Sequence, residues 1–155
     1  MELRTLVDAI GRTPLLRVST RSVPASSAEV LLKLEKRNPG GSLRDRVVRF
    51  ALEQAAREDR LAPGARVVAA AGEDGSFSAA LVCAVKGHPL DLFLPSKAVR
   101  PERHAAASRL GATVHRVEGS IDDARAAAEA AAKASGATLL DVESAAVATR
   151  ACAEI

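Results

Sequence analysis

Asn38-Pro39-Gly40-Gly41-Ser42-Leu43-Arg44-Asp45-Arg46 is the stretch on which the fold turns. The residues before it, Val30-Leu31-Leu32-Lys33-Leu34-Glu35, read as a strand, and a helix is expected from Ser42 to about Asp59. Ser42 has the chemistry of an N-cap, and Asp45 three residues on stands where a capping box carries Glu. Leu43, Val47, Phe50, Ala51 and Gln54 follow helical spacing, with Phe50 expected as the deepest anchor. Strand, glycine-bearing loop and helix form one β-α unit.

The same unit repeats downstream. Val67 to Ala71 reads as a short buried strand, followed by an apolar helix from Gly75 to Lys86 with Gly87 at its C′ position. Leu90 to Leu94 is the next strand, and Pro101 suits the first turn of a helix that ends near Leu110. Ala112 to Val117 is a strand. Ser120 opens an Ala-rich helix that stops at Gly136, and Thr138 to Val142 is the last strand. Strands alternating with helices require parallel pairing, and the expected class is α/β, a three-layer sandwich on a parallel sheet. The expected division is an N-terminal arm at 1–28, the α/β domain at 29–143, and a short helix or tail at 144–155.

Composition narrows the function classes. The chain has 155 residues, enough for one domain with a real core, and carries a net charge of +3. It has no Trp or Tyr and three Phe, so the aromatic platforms of single-strand nucleic-acid binding are nearly lacking. No segment has the apolar length of a membrane span, and Met1-Glu2-Leu3-Arg4 is no signal region, so a cytoplasmic location is expected. Cys83, inside an apolar run, reads as a buried small hydrophobe, and Cys152 as a free thiol. His88, His104 and His115 have no metal-ligand spacing with either Cys and read as surface or turn residues, so no metal is expected.

The opening stretch resembles a signature of the cysteine synthase and cystathionine β-synthase family, the fold type II pyridoxal-phosphate enzymes. There it reads Asn-Pro-Gly-Gly-Ser-hydrophobic-Lys-Asp-Arg. Ile10-Gly11-Arg12-Thr13-Pro14-Leu15-Leu16-Arg17 is similar to the family's opening run, and Leu32 to Glu35 to the strand before the lysine loop. Lys86-Gly87-His88-Pro89-Leu90 and Arg109-Leu110-Gly111-Ala112 resemble two of its turns. The resemblance runs from about Leu6 to Gly119 and implies the fold of the family's small N-terminal domain.

What the resemblance implies about chemistry is a set of losses. The family's Schiff-base lysine position holds Arg44, whose guanidinium stays protonated and has no amine to condense with an aldehyde. The family's substrate loop, Thr-Ser-Gly-Asn-Thr-Gly, aligns with Ala70-Ala71-Gly72-Glu73-Asp74-Gly75. Glu73 replaces the Asn that contacts the cofactor ring, and Glu73 with Asp74 would repel a substrate carboxylate. The phosphate cup belongs to the family's second half, and no Gly-x-Gly-Gly run occurs in these residues. The expectation is therefore no catalytic residue, no cofactor and no enzyme activity. Arg44 is expected to pair with Glu73 or Asp74 across the former pocket.

The function expected is that of a pseudoenzyme domain, an adaptor or regulatory subunit that binds another protein or itself. One alternative is an anion or metabolite sensor in which Gly40, Gly41 and Ser42, with Arg44 and Arg46, cradle a small anion at a helix N-terminus. Glu73 and Asp74 are further candidate partner contacts. A second alternative is one half of a split enzyme, which needs a lysine from elsewhere. Lys33, Lys36 and Lys86 do not match the family's position.

Overall fold

The structure is a computed structural model that describes residues 3–18, 28–97 and 100–153. Met1, Glu2, Glu154 and Ile155, the outer ends of the expected arm and tail, lie outside the described residues. Six strands and five α-helices are present among the described residues: β1 Leu15–Arg17, β2 Leu31–Lys33, α1 Arg44–Arg57, β3 Val67–Ala70, α2 Glu73–Lys86, β4 Leu90–Pro95, α3 Pro101–Arg109, β5 Thr113–Val117, α4 Ile121–Ser135, β6 Thr138–Leu140 and α5 Ala145–Ala151.

The main sheet has the order β5-β4-β3-β6, and each of its pairings is parallel. Residues along β3 alternate between two cores, as a pleat of period two requires. Val67 and Ala69 face a large core with Leu90, Leu92, Leu94 and the buried sides of α1 and α2. Val68 and Ala70 face a smaller core made with Ala124, Ala128 and Ala132 of α4. Those three alanines recur every four residues, so α4 lies on the sheet along a stripe of methyl groups. The three layers are thus the first helices, the sheet and α4, as the repeated β-α pattern predicts.

The ends of α4 are built by local chemistry. Ser120 and Asp123 form a reciprocal capping box, and Gly136 closes the helix at φ +70°. Gly87 does the same for α2 at φ +76°. These stops need a left-handed residue, which glycine supplies without a Cβ clash.

Several expectations are corrected. The strand read at Val30–Glu35 is not part of the parallel sheet: β2 pairs antiparallel with β1 in a separate two-stranded ribbon, Leu16 opposite Leu32. The N-terminal residues that precede β1 turn back onto the domain, with Val7 and Ile10 buried in the large core. Ser42 does not cap α1. The helix begins at Arg44 with Leu43 at its cap, and Asp45 turns to other donors. Phe50 is only half-buried, because Val47, Val48, Ala51, Leu52 and Ala55 take the inner face. His104 is buried rather than superficial, accepting from Arg116 Nε at 3.0 Å through Nδ1. Burial and that guanidinium both hold its pKa below the usual histidine value.

The cysteines follow expectation. Both are free, and burial pushes the Cys83 thiol up to about 12, which leaves it protonated and inert.

The large apolar side chains left exposed among the described residues are Leu3, Leu6, Leu15, Leu16, Val30, Leu31 and Leu32, in the N-terminal segment and the ribbon, and Leu43, just before α1. The main sheet and its helices bury theirs. Core and ribbon should therefore respond differently to truncation. Leu92→Ala, at a fully buried site, is expected to cost about 2–5 kcal/mol in urea unfolding, while Leu16→Ala, 50% exposed, should change stability by less than about 0.5 kcal/mol.

Candidate functional site

The loop that opens the sequence reading is a polar scaffold. Arg46 reaches back from α1 and grips Glu35 with two bonds, Nε to Oε2 at 2.8 Å and Nη2 to Oε1 at 3.0 Å. The same guanidinium donates to the Gly11 carbonyl at 2.7 Å. Thr13 Oγ1 donates to Glu35 at 2.6 Å, and the buried Asn38 amide donates to it at 2.8 Å while accepting from Gly11 N–H. These contacts hold the Glu35 carboxyl down at about 2, the Arg46 bonds first among the causes.

Asp45, fully buried, accepts from the Gly40 amide and the Ser78 hydroxyl and so joins the loop to α2. Burial raises its pKa and the two hydrogen bonds oppose that rise. Gly40 is required here: a Cβ would stand 2.2 Å from the Asp45 carboxylate. The proposed anion cradle is thereby filled from within. Gly40 N–H serves Asp45, Gly41 N–H serves the Asn38 carbonyl, and Arg44 N–H serves Ser42 Oγ. Arg46 is committed to Glu35 and Gly11.

The second half of the site is a cavity of about 490 Å³ lined by Arg44, Gly72, Glu73, Asp74, Gly75, Arg100 and Glu143. The structure thus brings Arg44, Glu73 and Asp74 to one hollow. The expected ion pair is not the one that forms. Arg44 donates through Nη1 to the Val142 carbonyl at 3.1 Å and pairs through Nη2 with Glu143 at 3.0 Å. Glu73 pairs with Arg100, and Asp74 with Arg103 at 3.6 Å. The reason is topological. The start of α3 delivers two arginines to the acids, while the turn after β6 delivers a glutamate to Arg44.

Glu143 has a second role that sequence reasoning missed. Its other oxygen, Oε1, accepts the Gly72 amide at 2.8 Å, at the N-terminal end of α2. A negative charge is favoured there by the unpaired amides and the helix dipole. Gly75 leaves the room, since a Cβ on it would sit 2.6 Å from that oxygen. The chain's own carboxylate therefore occupies the anion position at the head of α2. No local spacing signals this, because Glu143 is distant in sequence from both Arg44 and Gly72. Among the described residues no group of His, Cys, Asp and Glu could hold a metal ion, and no helix is long and apolar enough to cross a membrane.

Comparison with known proteins places these features. The family model described as pyridoxal-phosphate dependent enzyme matches residues 6–153. The chain is 37% identical over 87 residues to N-(2-amino-2-carboxyethyl)-L-glutamate synthase of Ralstonia nicotianae, covering 56% of this chain and 25% of that one. It is 34% identical over 110 residues to cysteine synthase B of Escherichia coli, covering 71% and 36%. In structure it is similar to O-ureido-L-serine synthase, with a TM-score of 0.80 and 25% identity over 90% of this chain and 44% of that one. O-acetylserine sulfhydrylase isoform 3 of Entamoeba histolytica gives a TM-score of 0.78 at 26% identity, over 92% and 44%. The chain spans less than half the length of each of these four proteins.

Two measurements test the site. Glu143→Ala is expected to lose about 1–3 kcal/mol by leaving Arg44 and the Gly72 amide unpaired. Acetate should restore part of that loss when chloride at equal ionic strength does not, whereas the unsubstituted protein should not respond to acetate. Glu35 governs the acid limb. Its carboxyl lies below its ordinary 4.5, so its contribution is complete above that value and disappears as pH falls from 4.5 toward about 2. Glu35→Gln should be less stable at neutral pH and show a flatter stability curve across that interval in denaturant titrations.

Proposed function

The chain belongs to the family of pyridoxal-phosphate dependent enzymes, and on that premise we propose that it is a non-catalytic member, an adaptor or regulatory subunit that acts by binding another protein or a second copy of itself. The observation that carries this reading is the state of Arg44. The side chain at the family's lysine position has no condensable amine, and it is already spent on the Val142 carbonyl and the Glu143 carboxylate.

The rest of the cavity supports the same reading. Pyridoxal phosphate needs an amine to hold its aldehyde and a cradle for its phosphate. Among the described residues lining the cavity there is no lysine, and three carboxylates, Glu73, Asp74 and Glu143, outnumber the two arginines. These residues do not fit the group. Lys33, at the end of β2, donates its Nζ to the Thr13 carbonyl at 2.8 Å. The reading as a split enzyme gains nothing from that contact. The sensor reading based on Gly40–Ser42 finds its donors in use within the loop.

The binding half of the proposal rests on the ribbon. Leu16 and Leu32 are exposed directly opposite one another on one face of the ribbon, and Leu15 and Leu31 are exposed on its other face; apolar side chains left uncovered in this way favour association. Two experiments divide the proposal. Incubation with pyridoxal phosphate should give no absorbance of an internal aldimine and no borohydride-trapped adduct at residue 44; a trapped adduct together with turnover of an amino acid would overturn the non-catalytic half. Light scattering should give a mass above that of the monomer, which Leu16→Asp with Leu32→Asp lowers. A protein that is monomeric at high concentration and retains no partner from native extract would remove the binding half.

A further inference from the structure

We propose that His104 is an acid-operated latch on α3: on gaining a proton it loses its bond to Arg116 and loosens the helix turn that holds Arg100 and Arg103 over the acids of the Arg44 hollow. The observation that carries this is an imidazole sealed in the fold with one nitrogen matched and the other not. His104 is 6% exposed, its Nδ1 accepts from Arg116 Nε at 3.0 Å, and its Nε2 is buried with no hydrogen-bond partner among the described residues.

The bond from Arg116 fixes the state of the ring. Arg116 Nε–H donates, so Nδ1 offers a lone pair and the proton of the neutral imidazole sits on Nε2. A second proton can enter only at Nδ1. It turns the acceptor into a donor facing a donor, and sets an imidazolium beside a guanidinium. Both ring N–H groups then lack an acceptor, and an unmatched buried donor costs more on a charged group than on a neutral one.

The neighbouring elements offer no charge to answer that imidazolium. α3 packs against α2 and β5. From β5, Arg116 faces the ring, while His115 turns to Asp91 at 3.1 Å. From α2, Glu73 is paired with Arg100 and Asp74 with Arg103 at 3.6 Å, and Lys86 lies at the far end of the helix. Glu102 and Arg109 of α3 itself are exposed. Among the described residues no carboxylate forms an ion pair with His104; burial first, and then Arg116, lower its affinity for a proton.

The position of His104 gives the titration a mechanical outcome. Its backbone N–H closes the first turn of α3 on the Arg100 carbonyl at 3.3 Å, and that turn holds both arginines that cover Glu73 and Asp74. Expelling the imidazole therefore loosens this turn and uncovers the two acids. In the latched fold the ring binds a proton less readily than when released. Latching is thus complete above the ordinary histidine value of 6.5 and is lost as the pH falls through the lower value of the folded protein. That loss begins above 4.5, where the loss from Glu35 begins. Asp45, whose pKa is raised by burial, bonds Gly40 and Ser78 and so bears on α1 and α2.

Hydrogen exchange of the full chain, followed by NMR at about pH 7 and about pH 5 and corrected for intrinsic rates, tests the latch. At the lower pH the α3 amides should lose protection by at least about threefold while those of α4 keep theirs. His104→Gln, whose side-chain oxygen can still accept from Arg116, should give the same α3 protection at both. Arg116→Gln, at an exposed position, should raise the midpoint of the His104 ring titration, because the repelling cation is gone. Unchanged α3 protection in the unsubstituted protein, an equal loss in folded His104→Gln, or an unmoved ring midpoint in Arg116→Gln would each overturn the inference. The last of these decides alone where His104→Gln does not fold. No pyridoxal phosphate enters the experiment, so its outcome is independent of the reading given to Arg44.

Discussion

One buried ion pair, Arg46 on Glu35, holds together parts of the molecule that share no sheet. Glu35 follows the antiparallel ribbon, Arg46 belongs to α1, and the same guanidinium takes the carbonyl of Gly11 from the N-terminal turn. Removing one partner of such a pair leaves a buried charge unanswered, at a typical cost of about 3–5 kcal/mol. Thr13 and Asn38 satisfy the remaining lone pairs of Glu35. A carboxylate met by this many donors is well ionised, which is why its pKa falls so far. The glycines and Asn of the loop make this geometry possible by letting the backbone approach Asp45 and Gly11.

This scaffold gives most residues of the Asn38–Arg46 loop a structural role. Asn38, Gly40, Asp45 and Arg46 each have a structural partner, and altering any of them would disturb the junction between ribbon, α1 and α2. Position 44 is under a different constraint. Its side chain points to the hollow beside α2, where a guanidinium finds Glu143 and the Val142 carbonyl. The carboxylate it holds sits on the Gly72 amide, so the helix end that would attract an external anion is satisfied by the chain itself.

Local chemistry made much of the fold legible. The strand-helix alternation, the stops at Gly87 and Gly136, the cap at Ser120 and the Ala stripe of α4 all depend on residues a few positions apart. The errors fall where distant partners decide. Ser42 has the right chemistry for a cap, but Asp45 finds better donors in Gly40 and Ser78 and the helix starts later. Phe50 has the right spacing for the core, but smaller residues fit against α2, and the ring stays half-buried under Arg150. Leu31 to Lys33 is a strand as its residues suggest, and only the position of β1 makes its pairing antiparallel.

The sequence by itself determined the family, the three layers of the main domain and the absence of an amine at residue 44, because each is written in residue identity or short-range spacing. The tertiary structure decided which charges meet. Glu143 reaches Arg44, Arg100 and Arg103 reach Glu73 and Asp74, and Arg150 comes to the arginine face of α1. Ion pairing depends on distance in space, and the crossings that bring these side chains together are set by sheet order and helix packing, not by neighbours along the chain.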